Sequence, residues 1–311
     1  MRNEFDLIRR LTKKIPPKLQ GLIGIGDDAG AFRSGKNTYE LLTTDAIVEG
    51  VDFALSKARP EWVGRKALAV NLSDIAAMGG IPAAFVVTLG IPRNFKQRWL
   101  EKFYEGMLKL AEQYRVLCVG GDITRSPVFF ASLALAGRAA SQKLVLRKGA
   151  KAGDLIGVTG SLGGSILGRH FFFEPRIREA QFLKKFHPTA MIDISDGFAQ
   201  DLGHILKASE LEAEIFLDTI PVSSDALKLA KNRPPKALEH ALSDGEDFEL
   251  LFTVPPRQKK ALEGKWKAAF PRVPLNWVGN ILKGKPGKIT WRRNGKKAAG
   301  FFLKRSGFAH F

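Results

Sequence analysis

Short β-rich runs alternate with amphipathic helical patterns along almost the whole chain, and this alternation restricts the fold more than any other feature. A lead-in helix over residues 3–14 carries Phe5, Ile8 and Leu11 at helical spacing and stops at Pro16-Pro17. A strand over Tyr39 to Thr44 ends at Asp45, and a long helix follows from Pro60 to Met78, opened by proline and closed by Gly79-Gly80. A buried strand is expected over Ala83 to Leu89 and a second amphipathic helix over 95–114. The strand Val116 to Val119, a turn at Gly120-Gly121-Asp122 and a strand over Val128 to Leu135 complete the order β, α, β, α, β, β. A second α/β set follows, with strands expected at 155–158, 213–217, 248–253, 275–281 and 288–291. Its helices are expected up to residue 186, from the segment 190–197 to Lys207, and at 223–231 and 256–265.

The pattern predicts a mixed α/β (α+β) protein built of packed layers. At 311 residues, two domains are expected against a typical length of roughly 150 each. Between Arg138 and Gly153 the apolar periodicity fades into Lys143, Arg147, Lys148 and Lys151, which places the division at 1–138 and 139–311. With 45% apolar and 26% charged residues the chain is globular rather than disordered or fibrous. The longest charge-free stretch, Ile75 to Pro92, is broken by Gly79, Gly80, Pro82, Gly90 and Pro92, so it reads as a helix end, a turn and a buried strand, not a membrane span. The N-terminal Met1-Arg-Asn-Glu-Phe-Asp lacks the apolar run of a signal peptide, and the single Cys118 excludes an intrachain disulfide and suits a reducing compartment. A cytoplasmic location is therefore expected.

Forty-nine basic against 31 acidic residues leave a net charge of +18, which favours anionic partners such as nucleotides, nucleic acid or a membrane surface without choosing among them. Two phosphate-binding patterns are only approximate. Gly30-Ala-Phe-Arg-Ser-Gly35-Lys36-Asn37 has P-loop spacing but Asn37 where a magnesium-binding hydroxyl belongs, and a strand rather than a helix follows. Gly24-Ile-Gly26-Asp27-Asp28-Ala29 matches the loose dinucleotide fingerprint, yet its two carboxylates would face the pyrophosphate. Paired aspartates flanked by glycine are better ligands for Mg2+, which takes hard oxygen donors and keeps phosphates in its remaining positions.

Acids recur in one kind of place, in turns beside glycine, serine or threonine at the ends of apolar runs. These are Asp27-Asp28, Asp45 after Thr43-Thr44, Asp122 after Gly120-Gly121, Asp193 and Asp196 around Ser195, and Glu246-Asp247 after Gly245. Asp74 differs, sharing one face of a largely apolar helix with Asn71 and Met78. Any one of them also suits a turn or a helix cap. Gathered at one edge of a sheet, several such carboxylates would repel one another unless divalent cations lay among them. Gly120-Gly121-Asp122 and Gly160-Ser-Leu-Gly163-Gly164-Ser165 offer backbone amides to a phosphate, and Arg125 and Arg147 could pair with its oxygens. A Gly-x-Ser-x-Gly elbow is absent, which disfavours covalent catalysis.

The phrases Gly24-Ile-Gly-Asp-Asp28, Thr43-Thr-Asp45 with Val48-Glu-Gly-Val51, Ala67 to Gly80, Gly120-Gly-Asp-Ile-Thr-Arg-Ser126, Asp193-Ile-Ser-Asp-Gly197 and Gly245 to Thr253 together resemble the thiamine-monophosphate kinase family, of the aminoimidazole ribonucleotide synthetase-like superfamily. The resemblance spans nearly the whole chain, down to His310-Phe311. It implies an N-terminal ferredoxin-like sheet that binds ATP and Mg2+ and pairs across a homodimer, a C-terminal α/β domain that completes the active site, and direct transfer of the γ-phosphate of ATP to thiamine monophosphate, giving thiamine diphosphate. It assigns several Mg2+ ions to Asp27, Thr43, Thr44, Asp45, Asp74, Asp122, Asp193 and Asp196, with Asp45, Asp122 and Asp196 also expected to be catalytic. ATP contacts are implied at Tyr104, Gly121, Asp122, Arg147 and Ser195, and substrate contact at Glu246. Two acceptor-side positions depart from the pattern, Asp52 where the family has histidine and Arg305 where it has tryptophan. The alternatives are therefore a related kinase or synthetase with another acceptor and, on charge alone, a basic nucleic-acid-binding protein; a nucleic-acid motif is lacking.

Overall fold

The computed structural model describes residues 4–13, 15, 22–140, 144–298, 303 and 307. The chain divides into two compact units, an N-proximal unit of Asp27–Leu146 with Gly168–His187, and a C-proximal unit of Met1–Gly26, Arg147–Leu167 and Pro188–Phe311. In chain order the elements are α1 (Glu4–Thr12), β1 (Leu22–Ile23), β2 (Gly30–Gly35), β3 (Thr38–Val48), α2 (Pro60–Ala77), β4 (Ile81–Ile91), α3 (Gln97–Tyr114), β5 (Leu117–Arg125), β6 (Phe130–Ala140), β7 (Leu155–Thr159), α4 (Arg169–Phe172), α5 (Ile177–Leu183), β8 (Ala190–Asp193), α6 (Phe198–Ala208), β9 (Glu212–Phe216), α7 (Ser224–Leu229), α8 (Pro234–Ser243), β10 (Leu250–Val254), α9 (Lys259–Ala269), β11 (Leu275–Leu282), β12 (Ile289–Arg293) and β13 (Lys296–Lys297). The fold is mixed α/β, as the alternating pattern requires.

In the N-proximal unit the strands run in the order β2-β3-β6-β4-β5. β6 lies antiparallel to both β3 and β4, while β5 is parallel to β4 and reaches it through the helical crossover α3. Period-two alternation sends Leu41, Ile47, Phe85, Val87, Leu89, Ala131, Leu133 and Leu135 to one face, where all are buried. α2 packs on that sheet with α3, α4 and α5 around it, so thirteen of its 18 residues are buried and its apolar surface extends beyond a single stripe. α2 and α3 touch backbone to backbone at Gly64 and Gly106: a Cβ at Gly64 would stand 1.8 Å from the Phe103 carbonyl oxygen. Glu174 ties the 168–187 segment to both helices, accepting from Arg65, Gln113 and Tyr114 at 2.8, 2.9 and 3.1 Å.

The C-proximal unit holds a seven-stranded sheet in the order β13-β12-β9-β11-β7-β10-β8, antiparallel except for β9 and β12. β8 and β10 are buried at every residue. Ile156, Val158, Ile192, Leu202, Ile205, Ile215, Leu242, Leu251 and Val278 form its core with α6 and α8.

Three features differ from the sequence reading. The division expected after residue 138 falls inside β6, which continues to Ala140; contacts part the chain at Leu146–Arg147 and return 168–187 to the N-proximal unit. The turn expected at Gly120-Gly121-Asp122 is the middle of β5, because strand pairing uses the glycines instead of breaking at them: a Cβ at Gly121 would lie 2.1 Å from the Val87 carbonyl oxygen. α8 has no counterpart among the helices expected from the sequence; its Pro234-Pro235 lies in the first helical turn, where proline is tolerated. No helix among the described residues is long and apolar enough to cross a membrane.

Candidate active site

In the N-proximal unit, β3 and α2 bring three expected groups together. β3 turns Leu41, Thr43 and Ile47 to its buried side and exposes Leu42, Thr44 and Ala46; Asp45 is half-buried. Thr43 donates a short hydrogen bond to Asp74 Oδ2 and lies 3.4 Å from the main-chain oxygen of Asp28. Asp28 and Thr43 are buried and Asp74 is half-buried. One turn earlier on α2, Asn71 is fully buried and its amide nitrogen donates to Ala67 O at 3.1 Å; its Oδ1 accepts no hydrogen bond among the described residues. The Asp74 carboxylate, the Thr43 hydroxyl and the Asp28 main-chain oxygen are a set of hard oxygen atoms suited to a cation of the Mg2+ kind. Asp27, half-buried, precedes this group, and Thr44 lies on the opposite face of β3 from Thr43.

Asp122 stands apart from Asp45. Strand register places Asp45 level with Leu133, Val87 and Gly121, so β5 lies three strand spacings away, about 14 Å. Asp122 is level with Thr88, and every residue of β5 is exposed. Tyr104, half-buried on α3, has its hydroxyl pKa raised by burial and by Cys118, which places the phenol near β5. Arg125 is exposed at the strand's end.

The C-proximal unit carries the second acidic group. Asp193 closes β8 opposite Leu250 and is 2% exposed, and Ser195 and Asp196 occupy the turn into α6. Asp196, Asp201 and His204 each offer a ligand atom within 4.8 Å of the others. Neither Asp201 nor His204 was singled out in the sequence, because both belong to an ordinary helical pattern; their spacing from Asp196 across the turn is the signal that would find them. Asp201 Oδ2 accepts the amides of Asp196 and Gly197 at 3.2 and 3.0 Å, and so shapes the turn from beneath. Burial, followed by the charges of Asp196 and Asp193, raises its pKa well above the carboxylate range, against an opposing effect of Arg147. Burial, with Arg147 and Lys207, lowers the His204 pKa to about 4. The carboxylates fit a hard cation; Asp201, engaged by amides, fits better as the support of Asp196 than as a ligand.

Glu246 is half-buried in a left-handed conformation (φ 63°) and donates its amide to Ser195 O at 2.7 Å. Asp52 does not present an unengaged carboxylate: it accepts the Val48 amide at 2.7 Å, and its carbonyl accepts from Lys66. Arg305 lies outside the described residues. The turn Gly160–Ser165 is not the amide cradle that its glycines suggest. Gly160 and Leu162 donate to Pro274 and Pro221 carbonyls, Gly163 to the Asp247 carboxylate and Gly164 to Asp244, so these amides are already engaged within the protein.

Comparison with known proteins follows the same line. Residues 26–139 match the family profile of AIR synthase related protein, N-terminal domain. A thiamine-monophosphate kinase of Rhodopirellula baltica is 40% identical over 92% of this chain and 90% of its own length. That of Escherichia coli K12 is 38% identical over 99% and 98%. Among solved structures, AaThiL complexed with AMPPCP and TMP superposes with a TM-score of 0.82 at 30% identity, covering 99% of this chain and 97% of that one. With agreement of this extent across both units, the chain belongs to the thiamine-monophosphate kinase family.

Proposed function

We propose that the protein transfers the γ-phosphate of ATP to the phosphate of thiamine monophosphate, giving thiamine diphosphate and ADP. The observation that carries this reading is the gathering of the Asp28 main-chain oxygen, the Thr43 hydroxyl of β3 and the Asp74 carboxylate of α2. Family membership over almost the full chain supplies the reaction class.

The acceptor oxygen of a phosphate monoester is anionic near neutral pH, so the reaction needs no general base; its barrier lies in aligning two polyanions. Mg2+ bound here would screen that charge and orient the phosphates. Asp27, Thr43, Thr44, Asp45, Asp74 and Asp122 are the proposed ligands of the N-proximal unit, and Asp193 and Asp196 those of the C-proximal unit. Arg147 would pair with polyphosphate oxygens, Gly121 and Ser195 would contact ATP, Tyr104 would lie by the nucleotide, and Glu246 would contact the acceptor. The Asp52 carboxylate is engaged by the Val48 amide of its own turn, and the full-length likeness to thiamine-monophosphate kinases makes thiamine monophosphate the favoured acceptor.

The protein would act in the cytoplasm as a homodimer. β5 is an edge strand whose Leu117, Val119 and Ile123 are 68%, 63% and 66% exposed, a surface suited to a second sheet. The test of the function is a reaction with ATP, Mg2+ and thiamine monophosphate: thiamine diphosphate and ADP should appear one for one. ADP formation indifferent to thiamine monophosphate would reject the acceptor.

A further inference from the structure

The loop from Asp244 to Glu249 sends its acids in two directions. Asp247 is 1% exposed, and its carboxylate accepts the Gly163 amide at 2.9 and 2.8 Å and the Ser165 hydroxyl at 2.6 Å. Glu249 is 4% exposed and accepts the Thr159 hydroxyl at 2.6 Å, while Thr159 accepts the Leu250 amide at 2.9 Å. Gly160 admits this carboxylate, since a Cβ there would stand 1.9 Å from Glu249 Oε1. Between and beside these anchors, Glu246 and Phe248 are both left-handed, at φ 63° and 50°, a conformation that non-glycine residues hold only where their surroundings fix it. The same two residues donate their amides to Ser195 O and Ile194 O at 2.7 and 2.8 Å, which seats the loop on the Asp193–Asp196 turn.

We propose that Asp247 and Glu249 are positioning residues: by clamping the segment Thr159–Ser165 to this loop they hold the left-handed pair in place and fix the direction in which Glu246 meets the acceptor. Buried charge-assisted hydrogen bonds are strong and directional enough for this role, and Gly160, one of the glycines that resemble a phosphate loop, lets the Glu249 carboxylate approach. The inference rests on the reading of Glu246 as an acceptor contact. Its reach is therefore specific, covering thiamine monophosphate and leaving ATP aside.

Steady-state kinetics on the full-length protein test it, with kcat and KM for each substrate measured in Glu246→Ala, Asp247→Asn, the double variant and Ser165→Ala. The expected result is a KM for thiamine monophosphate raised about tenfold by Asp247→Asn, with the KM for ATP unchanged and no further rise when Asp247→Asn is added to Glu246→Ala. Multiplying effects in the double variant, or equal rises for both substrates, would overturn the positioning role. If Glu246→Ala leaves the acceptor KM unchanged, the reading of Glu246 fails first and the inference falls with it. Should Asp247→Asn not fold, Ser165→Ala, which removes one donor from the same carboxylate, decides: a smaller rise confined to the acceptor supports the clamp, and no rise overturns it.

Discussion

Thr43 is a residue whose hydroxyl is worth more than its shape. Thr43→Val keeps the β-branched form that β3 favours and removes only the donor to Asp74. The expected outcome is a Mg2+ requirement shifted upward by about 10- to 100-fold with little change in stability, read from the metal dependence of the kinase rate and from urea unfolding. His204 gives a pH signature. Its folded pKa of about 4 lies below its ordinary value of 6.5, so between those values the unfolded chain binds a proton that the folded one does not. That contribution is fully present above pH 6.5 and is lost as pH falls toward 4, amounting to on the order of 3 kcal/mol. Asp201, with its raised pKa, acts in the opposite sense, contributing stability at low pH that is lost as pH rises. His204→Asn should therefore flatten the acid side of the stability profile; an unchanged profile would show that the imidazole is not held neutral. Asp74 and Asn71 were legible in the sequence because helix spacing puts them on one face, and Thr43 through the resemblance of the Thr43-Thr-Asp45 phrase to the family. Asp201 and the partners of Asp247 were not, since the first caps a turn from inside a regular helix and the second meets residues some 80 positions earlier.

At the scale of elements, α2 depends on a distant segment for its C-terminus. The helix has no basic residue in its last turn. Lys184, 8% exposed, donates to Gly79 O at 2.6 Å, and Gln181 donates to the Gly79 and Gly80 oxygens at 2.9 and 2.7 Å, so the amide from within α5 and the cation from the residue after it reach the helix end. Lys184→Met should cost about 1–3 kcal/mol in urea unfolding, since it removes a charge-assisted donor from buried carbonyls. A loss below about 0.5 kcal/mol would show that the cap is dispensable. Most elements could be read from periodicity, and α2, α3 and β7 fall close to their expected bounds. Gly120-Gly121 misled because a glycine needed for close strand approach looks in sequence like one needed for a turn. The packing of 168–187 on α2 was invisible for a different reason: it is a tertiary return of the chain, which local patterning does not encode.

For the whole molecule, the exposed edge β5 is the feature that a second copy would cover. Ile123→Lys adds charge to a strand exposed along its length and should leave folding intact. Light scattering is expected to show the mass of a dimer for the unaltered protein and of a monomer for the variant; equal masses would place the interface elsewhere. The net charge of +18 is in keeping with two phosphorylated substrates, but charge alone did not distinguish them from nucleic acid. What decided the matter was the family resemblance of the acid-bearing phrases, matched over nearly the whole chain by thiamine-monophosphate kinases. If carboxylates hold Mg2+ for phosphoryl transfer to thiamine monophosphate, the rate of thiamine diphosphate formation against Mg2+ concentration will separate the unaltered protein from Asp45→Asn. A saturable rise that EDTA abolishes, with the variant slower by on the order of 100-fold or more while its unfolding is unchanged, is the predicted result. Product formation insensitive to EDTA, or equal rates in the two proteins, would contradict it.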